Sequence, residues 1–148
     1  MTTPCKARTH KQIRCSWITE WMRIVEREQQ LVCQEQVMLV AYVRRVFAEE
    51  KLFIDIDRLD KYASYQKYFP FDLFPWEKFL FAVSMVVFRE DGRPRWSQTF
   101  ALLGRGSGKN GLISFIAFCL LTETNGIDRY NVDICATSEE QAKTSFFE

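Results

Sequence analysis

Residues 102–111, LLGRGSGKNG, constrain this chain more than any other stretch of its sequence. Three alternating glycines, an arginine and a lysine lie there between two apolar segments. The stretch nearly fits the phosphate-loop pattern G-x-x-x-x-G-K-[ST], in which a lysine follows the last glycine. Two interpretations are open at this point: a cradle for phosphate, or a flexible turn between two buried elements.

The chemistry of a phosphate site agrees with the residue types in this loop. Backbone N–H groups must converge on the anion, and Gly104, Gly106 and Gly108 allow a close approach because they carry no side chain. A helix that begins near Lys109 adds free N–H groups and its positive end. Lys109 can reach the terminal phosphates, and Arg105 can neutralise charge on the transferred phosphate. Burying these two cations without a polyanion would be costly, which favours the phosphate interpretation.

The loop departs from the standard pattern at both ends. Leu103 occupies the position of the first glycine, so that Gly104 comes one place late. Asn110 occupies the position of the hydroxyl residue that helps to hold magnesium. Its carbonyl oxygen can coordinate Mg²⁺ or a bound water, so we expect Asn110 to keep that role in a weaker form.

The segments around the loop predict a strand–helix–strand–helix order. An apolar strand is predicted over residues 97–103, and a helix from about Lys109 to Thr124 that Asn125-Gly126 ends. Alternation and β-branching predict a second strand over residues 130–136. Ser138 with Gln141 three places later predicts the capping box of another helix. This order favours a parallel α/β sheet with right-handed crossovers.

The first half of the chain is predicted to be mainly helical. Apolar side chains recur at steps of three and four over residues 16–50, with Ser16 as the capping residue. The polar stretch Glu26–Gln30 is either an exposed turn of one long helix or a break between two. Asp57 predicts the cap of a short helix that ends at Tyr68.

A buried helix is predicted over Pro75–Phe88, with the proline at its first position, where the missing N–H is tolerated. Asp91-Gly92 predicts a turn in the connection that follows. Residues 1–15 are basic and offer little to bury, which predicts a mobile basic arm.

Composition excludes several classes of protein. The 148 residues are 47% hydrophobic and 26% charged, which is typical of a globular domain, and the net charge of +1 leaves any basic site local. The five cysteines are odd in number and none is spaced C-x-x-C, which argues against a zinc knuckle and a secreted disulfide framework. We see no signal peptide and no apolar run that could span a membrane, so we expect a soluble intracellular protein.

Three stretches together resemble the large terminase subunit of tailed bacteriophages, the motor that packs DNA into an empty capsid. They are GRGSGKNG, the later YNVDICATSEEQAKTSFFE and the upstream PFDLFPWEKF, and the similarity covers roughly residues 37–148. The resemblance implies an α/β fold: an incomplete P-loop NTPase parallel sheet preceded by a mainly helical N-terminal region. The domain boundaries would be 1–15 for the basic arm, 16–70 for the helical region and 71–148 for the first part of the ATPase domain.

The same resemblance implies a set of site residues and ligands. The Walker A loop would comprise Gly104, Arg105, Gly106, Ser107, Gly108 and Lys109, with Arg105 and Lys109 as the catalytic cations. ATP and Mg²⁺ would be the cofactors, with Asn110 on the metal side. Pro75, Trp76 and Glu77 would form the adenine-side element, although Trp76 among so many phenylalanines also fits a core position. Many relatives have glutamine where this chain has Glu77; a carboxylate can only accept a hydrogen bond, although it could still accept one from the adenine amino group.

As function, the resemblance implies ATP hydrolysis that drives double-stranded DNA into procapsids, with a nuclease in a missing C-terminal part. Partners would be double-stranded DNA, the portal protein and the small terminase subunit, and the full-length protein would form a homo-oligomeric ring. It would act in the host cell cytoplasm at the procapsid portal, without a membrane.

The 148 residues contain neither the Walker B acidic residue nor the carboxylate that activates water. The chain therefore resembles an N-terminal piece of a longer protein, and we expect very weak or no ATPase activity from it. Two alternatives stay open: another P-loop NTPase or small kinase, and a truncated non-catalytic module that binds the portal or the small subunit through its helical region.

Overall fold

The computed structural model describes residues 13–136, 138–140 and 143. The helices whose bounds it gives are α1 Ser16–Arg27, α2 Gln34–Glu49, α3 Ile56–Ser64, α4 Pro75–Val86 and α5 Lys109–Leu121. The strands are β1 Leu52–Ile54 and β2 Val87–Arg89, and single 3₁₀ turns lie at Gln29–Leu31, Tyr65–Tyr68 and Glu123–Asn125. Most of the predicted basic arm and the Gln141 half of the predicted capping box lie outside the described residues.

The predicted helical stretch of residues 16–50 is two helices with a break between them. The break includes the polar residues Glu28 to Gln30, which are all exposed and have no apolar side chain to hold them on the core. Each helix buries one stripe of side chains at helical spacing. The stripes are Ile18, Met22 and Val25 in α1, and Val40, Val43, Val46 and Phe47 in α2.

Two predicted caps are wrong by one or two residues. Cys15, not Ser16, holds the N-cap position of α1, and it makes no side-chain cap. Asp55, not Asp57, caps α3, where its carboxylate accepts the N–H of Arg58 at 2.9 Å. Asp57 lies inside the first turn, where its negative charge stabilises the positive end of the helix.

Helices α4 and α5 begin where the sequence predicts. Pro75 is the first residue of α4, which ends at Val86 because Val87 and Phe88 enter β2 instead. Lys109 is the first residue of α5, and Gly126 adopts a left-handed conformation, with φ of +72°, just after the 3₁₀ turn that follows this helix. The predicted end of the helix near Thr124 is therefore wrong by about three residues, because α5 ends at Leu121 and Gly126 ends the 3₁₀ turn instead.

Contacts between aromatic side chains link several helices within the core. Phe81 of α4 is fully buried, and its ring centroid lies 5.7 Å from that of Trp17 in α1 and 5.6 Å from that of Tyr62 in α3. Phe115 of α5 lies 5.1 Å from it on another side. Helix α4 thus joins the N-terminal helices to the helix that follows the glycine loop.

Strands β1 and β2 form a small antiparallel sheet, in which Leu52 pairs with Arg89 and Ile54 with Val87. The sequence analysis missed both strands. Arg95, just after β2, makes two hydrogen bonds of 2.6 Å to the carboxylate of Glu50. The hydrogen bonds from Arg95 lower the pKa of Glu50. They also join the end of α2 to the segment that follows β2.

The predicted strands over residues 97–103 and 130–136 are wrong for this structure. Neither segment has a strand partner within the described part of the chain, and Phe100 and Leu102 are 92% and 88% exposed. A strand exists only where its backbone groups pair with a neighbour. The fold is therefore mixed helical with a two-stranded antiparallel sheet, and the described residues form no parallel sheet.

The thiols of Cys15, Cys33, Cys119 and Cys135 are free. In the part of the chain with described coordinates, no helix is both long and apolar enough to cross a bilayer.

Replacing Phe81 with alanine should lower the free energy of unfolding by about 3–5 kcal/mol, because it removes a fully buried ring and leaves a cavity. The equivalent change at Phe53, which is 46% exposed in β1, should cost far less. Urea unfolding followed by tryptophan fluorescence measures both. Equal losses for the two variants would contradict the placement of the core.

Candidate functional site

The glycine loop lines a cleft of about 530 Å³. One wall consists of residues between α3 and α4, among them Phe69, Phe71 and Phe74. The opposite wall is formed by residues 105–111, that is, by the loop and the first turn of α5. The volume lies in the range of roughly 300–1,000 Å³ that is usual for small-molecule sites.

The backbone of the loop depends on glycine at two positions. Gly106 and Gly108 adopt left-handed conformations with φ of +79° and +84°, which residues with a side chain rarely adopt. Gly108 is also the N-cap of the 13-residue helix α5 and offers no side-chain acceptor to its first turn. The first N–H groups of a helix lack partners within the helix, so they are available to an anion.

The polar side chains of the loop differ in their exposure. Arg105 is exposed, whereas Lys109 is half-buried and its Nζ lies 3.5 Å from the carbonyl oxygen of Gly104. The argument from the cost of burying both cations therefore does not apply, because Arg105 remains in solvent. Ser107 supplies a different signal: its Oγ is buried and has no hydrogen-bond partner among the described residues. A buried hydroxyl of this kind is usually satisfied by a ligand or by water.

Gly108 also lies against the start of α4. A Cβ at this position would be 2.8 Å from Oε1 of Glu77 and 3.6 Å from the ring of Phe74. A Cβ at Gly111, in the first turn of α5, would lie 3.0 Å from the ring of Phe71. Sequence reasoning assigned no role to Gly111. The sequence did contain a hint: Gly111 lies in the first turn of a predicted helix, where glycine is unfavourable unless close packing requires it.

Glu77 is a buried carboxyl group behind the loop, with 2% of its surface exposed. Its Oε2 accepts the N–H of Phe74 at 2.8 Å, which satisfies one free donor at the start of α4. Burial raises the pKa of Glu77, and the bond from Phe74 opposes that rise. No described cation lies within salt-bridge distance of the carboxylate.

The other two residues of the predicted adenine-side element lie outside the cleft lining. Pro75 starts α4, and Trp76 is half-buried and packs against the hydrophobic core. Of this stretch, Phe74 and Glu77 border the cleft, and Phe74 is 56% exposed. The sequence analysis assigned no site role to the phenylalanines here and missed the aromatic wall. Their exposure depends on how the chain turns between α3 and α4.

The residues that line the cleft fit a metal ion only in part. Asn110 lines the cleft and can offer one carbonyl oxygen. Among the described residues, no three side chains of His, Cys, Asp or Glu are grouped so that they could hold a metal ion. Mg²⁺ in nucleotide sites often has only one or two protein ligands and takes the rest from phosphates and water, so Asn110 fits that mode and not an all-protein site.

Comparisons with protein-family models, with curated proteins and with solved structures found no match to this chain.

Replacing Glu77 with glutamine should stabilise the protein increasingly as pH rises. The pKa of Glu77 is raised in the folded state, so folding favours its neutral form, and stability is lost as pH rises from about 4.5 through the folded pKa. Glutamine stays neutral and keeps an acceptor for the N–H of Phe74. Thermal unfolding of both proteins between pH 4 and pH 8 measures the gap, and a gap that does not change with pH would contradict the burial of this group.

Proposed function

We propose that the cleft binds a nucleoside triphosphate, with its phosphates at the glycine loop. The observation that supports this most directly is the position of the loop at the N-terminus of α5, where it lines the cleft together with Lys109. The unpaired hydroxyl of Ser107 and the left-handed Gly106 and Gly108 fit the same role. A turn between buried elements would need neither a lined cleft nor a buried hydroxyl without a partner.

In this proposal, the loop N–H groups and Lys109 bind the phosphates, since charge-assisted hydrogen bonds to an anion are the strongest available there. Arg105 is exposed at the mouth, from which it could turn toward the terminal phosphate. Mg²⁺, where bound, would supply charge neutralisation between phosphate oxygens, with Asn110 as its protein ligand. The aromatic wall of Phe71 and Phe74 offers an apolar surface for a base.

We further propose that the chain is part of a terminase-type P-loop ATPase, which packs double-stranded DNA into procapsids in the host cytoplasm. The support is the resemblance in sequence together with the cleft. In such a protein the exposed apolar segments 97–103 and 130–136 would pair in a parallel sheet. The same proposal includes a nuclease in a further part of the protein and a ring of identical subunits. Its partners would be the portal protein and the small terminase subunit.

Replacing Lys109 with alanine should weaken binding of a fluorescent ATP analogue roughly 10- to 100-fold, because it removes a charge-assisted hydrogen bond worth about 1.5–3 kcal/mol. Replacing Lys51, which lies outside the cleft lining, serves as the control and should change the affinity little. Fluorescence titration in the presence of Mg²⁺ measures both. If Lys109→Ala binds as well as the parent chain, the proposed phosphate site is wrong.

A further inference from the structure

Glu77 lies where two parts of the cleft meet: the first turn of α4 and Gly108 of the loop. We propose that Glu77 is a positioning residue, whose carboxyl group holds the start of α4 and supports Gly108, and that it does not read the base. This inference rests on the proposed function, and it replaces the adenine contact that the resemblance implies for this position.

Both carboxyl oxygens of Glu77 already have neighbours. Oε2 accepts the N–H of Phe74, and Oε1 lies so close to Gly108 that a Cβ there would approach it to 2.8 Å. The side chain is 2% exposed. Glu77 therefore offers a base in the cleft little surface, and its Oε2 is already engaged by the N–H of Phe74.

In this proposal, the carboxyl group beside Gly108 fixes where the next residues begin. Gly108 is the N-cap of α5 and Lys109 is its first residue, so a shift of the glycine moves the free N–H groups and the lysine together. Affinity and catalysis depend steeply on such placement, since a displacement of about 1 Å can cost roughly 100-fold in rate. Glu77 thus acts on phosphate through the backbone of the loop.

The chain provides a matched control for the capping bond. In α2, the side chain of Gln36 accepts the N–H of Cys33 at 3.2 Å, the same bond between the third helical residue and the N-cap. Gln36 does not line the cleft. Replacing it with alanine removes a helix cap without touching the loop, and so it measures what capping loss by itself does to binding.

The test measures the affinities of ATP, GTP and inorganic tripolyphosphate, each with Mg²⁺, for the parent chain and for Glu77→Ala, Glu77→Gln and Gln36→Ala. A positioning residue predicts that Glu77→Ala weakens all three ligands by the same factor, about tenfold. Glu77→Gln keeps the acceptor for Phe74 and should retain most of the affinity, with the ratio of ATP to GTP unchanged. Gln36→Ala should leave all three affinities unchanged.

A base contact predicts a different pattern, and that pattern would overturn the inference. Glu77→Ala would then change the ratio of ATP to GTP and leave tripolyphosphate binding as in the parent chain. Glutamine offers a donor as well as an acceptor, so Glu77→Gln would shift the ratio too. Because Glu77→Gln keeps the capping bond, this comparison stays decisive if the alanine variant fails to fold.

Amide hydrogen exchange of residues 104–109 in the unliganded chain tests the positioning role without any ligand. Faster exchange in Glu77→Ala than in the parent chain and in Gln36→Ala supports it, and equal exchange in all three contradicts it. If the parent chain binds none of the three ligands, the proposed function fails by itself, and the exchange result still decides whether Glu77 positions the loop.

Discussion

The packing of Phe81 is the interaction on which the rest of the structure depends. This one ring contacts Trp17 of α1, Tyr62 of α3 and Phe115 of α5, so it brings together three helices that are distant in the sequence. The contacts with Trp17 and Tyr62 are edge-to-face, which adds directional preference to the burial of apolar area. The orientation of α5 relative to α4 follows from this contact. Gly108, the N-cap of α5, lies beside Phe74 and Glu77 at the start of α4, and residues of both helix starts line the cleft.

The charges at the cleft come from a few nearby residues and are of both signs. The chain as a whole carries a net charge of +1, so attraction for an anion has to come from Lys109, Arg105 and the start of α5. Directly behind them lies the buried carboxyl group of Glu77, with a raised pKa and no described cation as partner. A carboxylate that close to a phosphate site opposes anion binding when ionised, and a neutral carboxyl group does not. The carboxyl group of Glu77 accepts the N–H of Phe74 and lies beside Gly108, as a positioning role requires.

Prediction from the sequence was accurate where local chemistry decides the conformation. Pro75 at the start of α4 and Lys109 at the start of α5 are both found, because proline and helix periodicity act within a few residues. The predicted strands over 97–103 and 130–136 failed because pairing is a long-range property that an apolar, alternating pattern cannot supply by itself. The two strands that do form are three residues each, too short for their periodicity to be recognised.

For the site, the sequence alone determined the glycines, the two cations and their place before a helix, since these follow from spacing along one continuous stretch. The tertiary structure decided which other residues meet them. It placed Phe71, Phe74 and Glu77 against the loop, left Trp76 on the core side of α4 and left Arg105 in solvent. The physical reason is that the face a residue presents depends on how α4 packs against α1 and α5. That packing is set by buried aromatic side chains more than thirty residues apart, which no local pattern encodes.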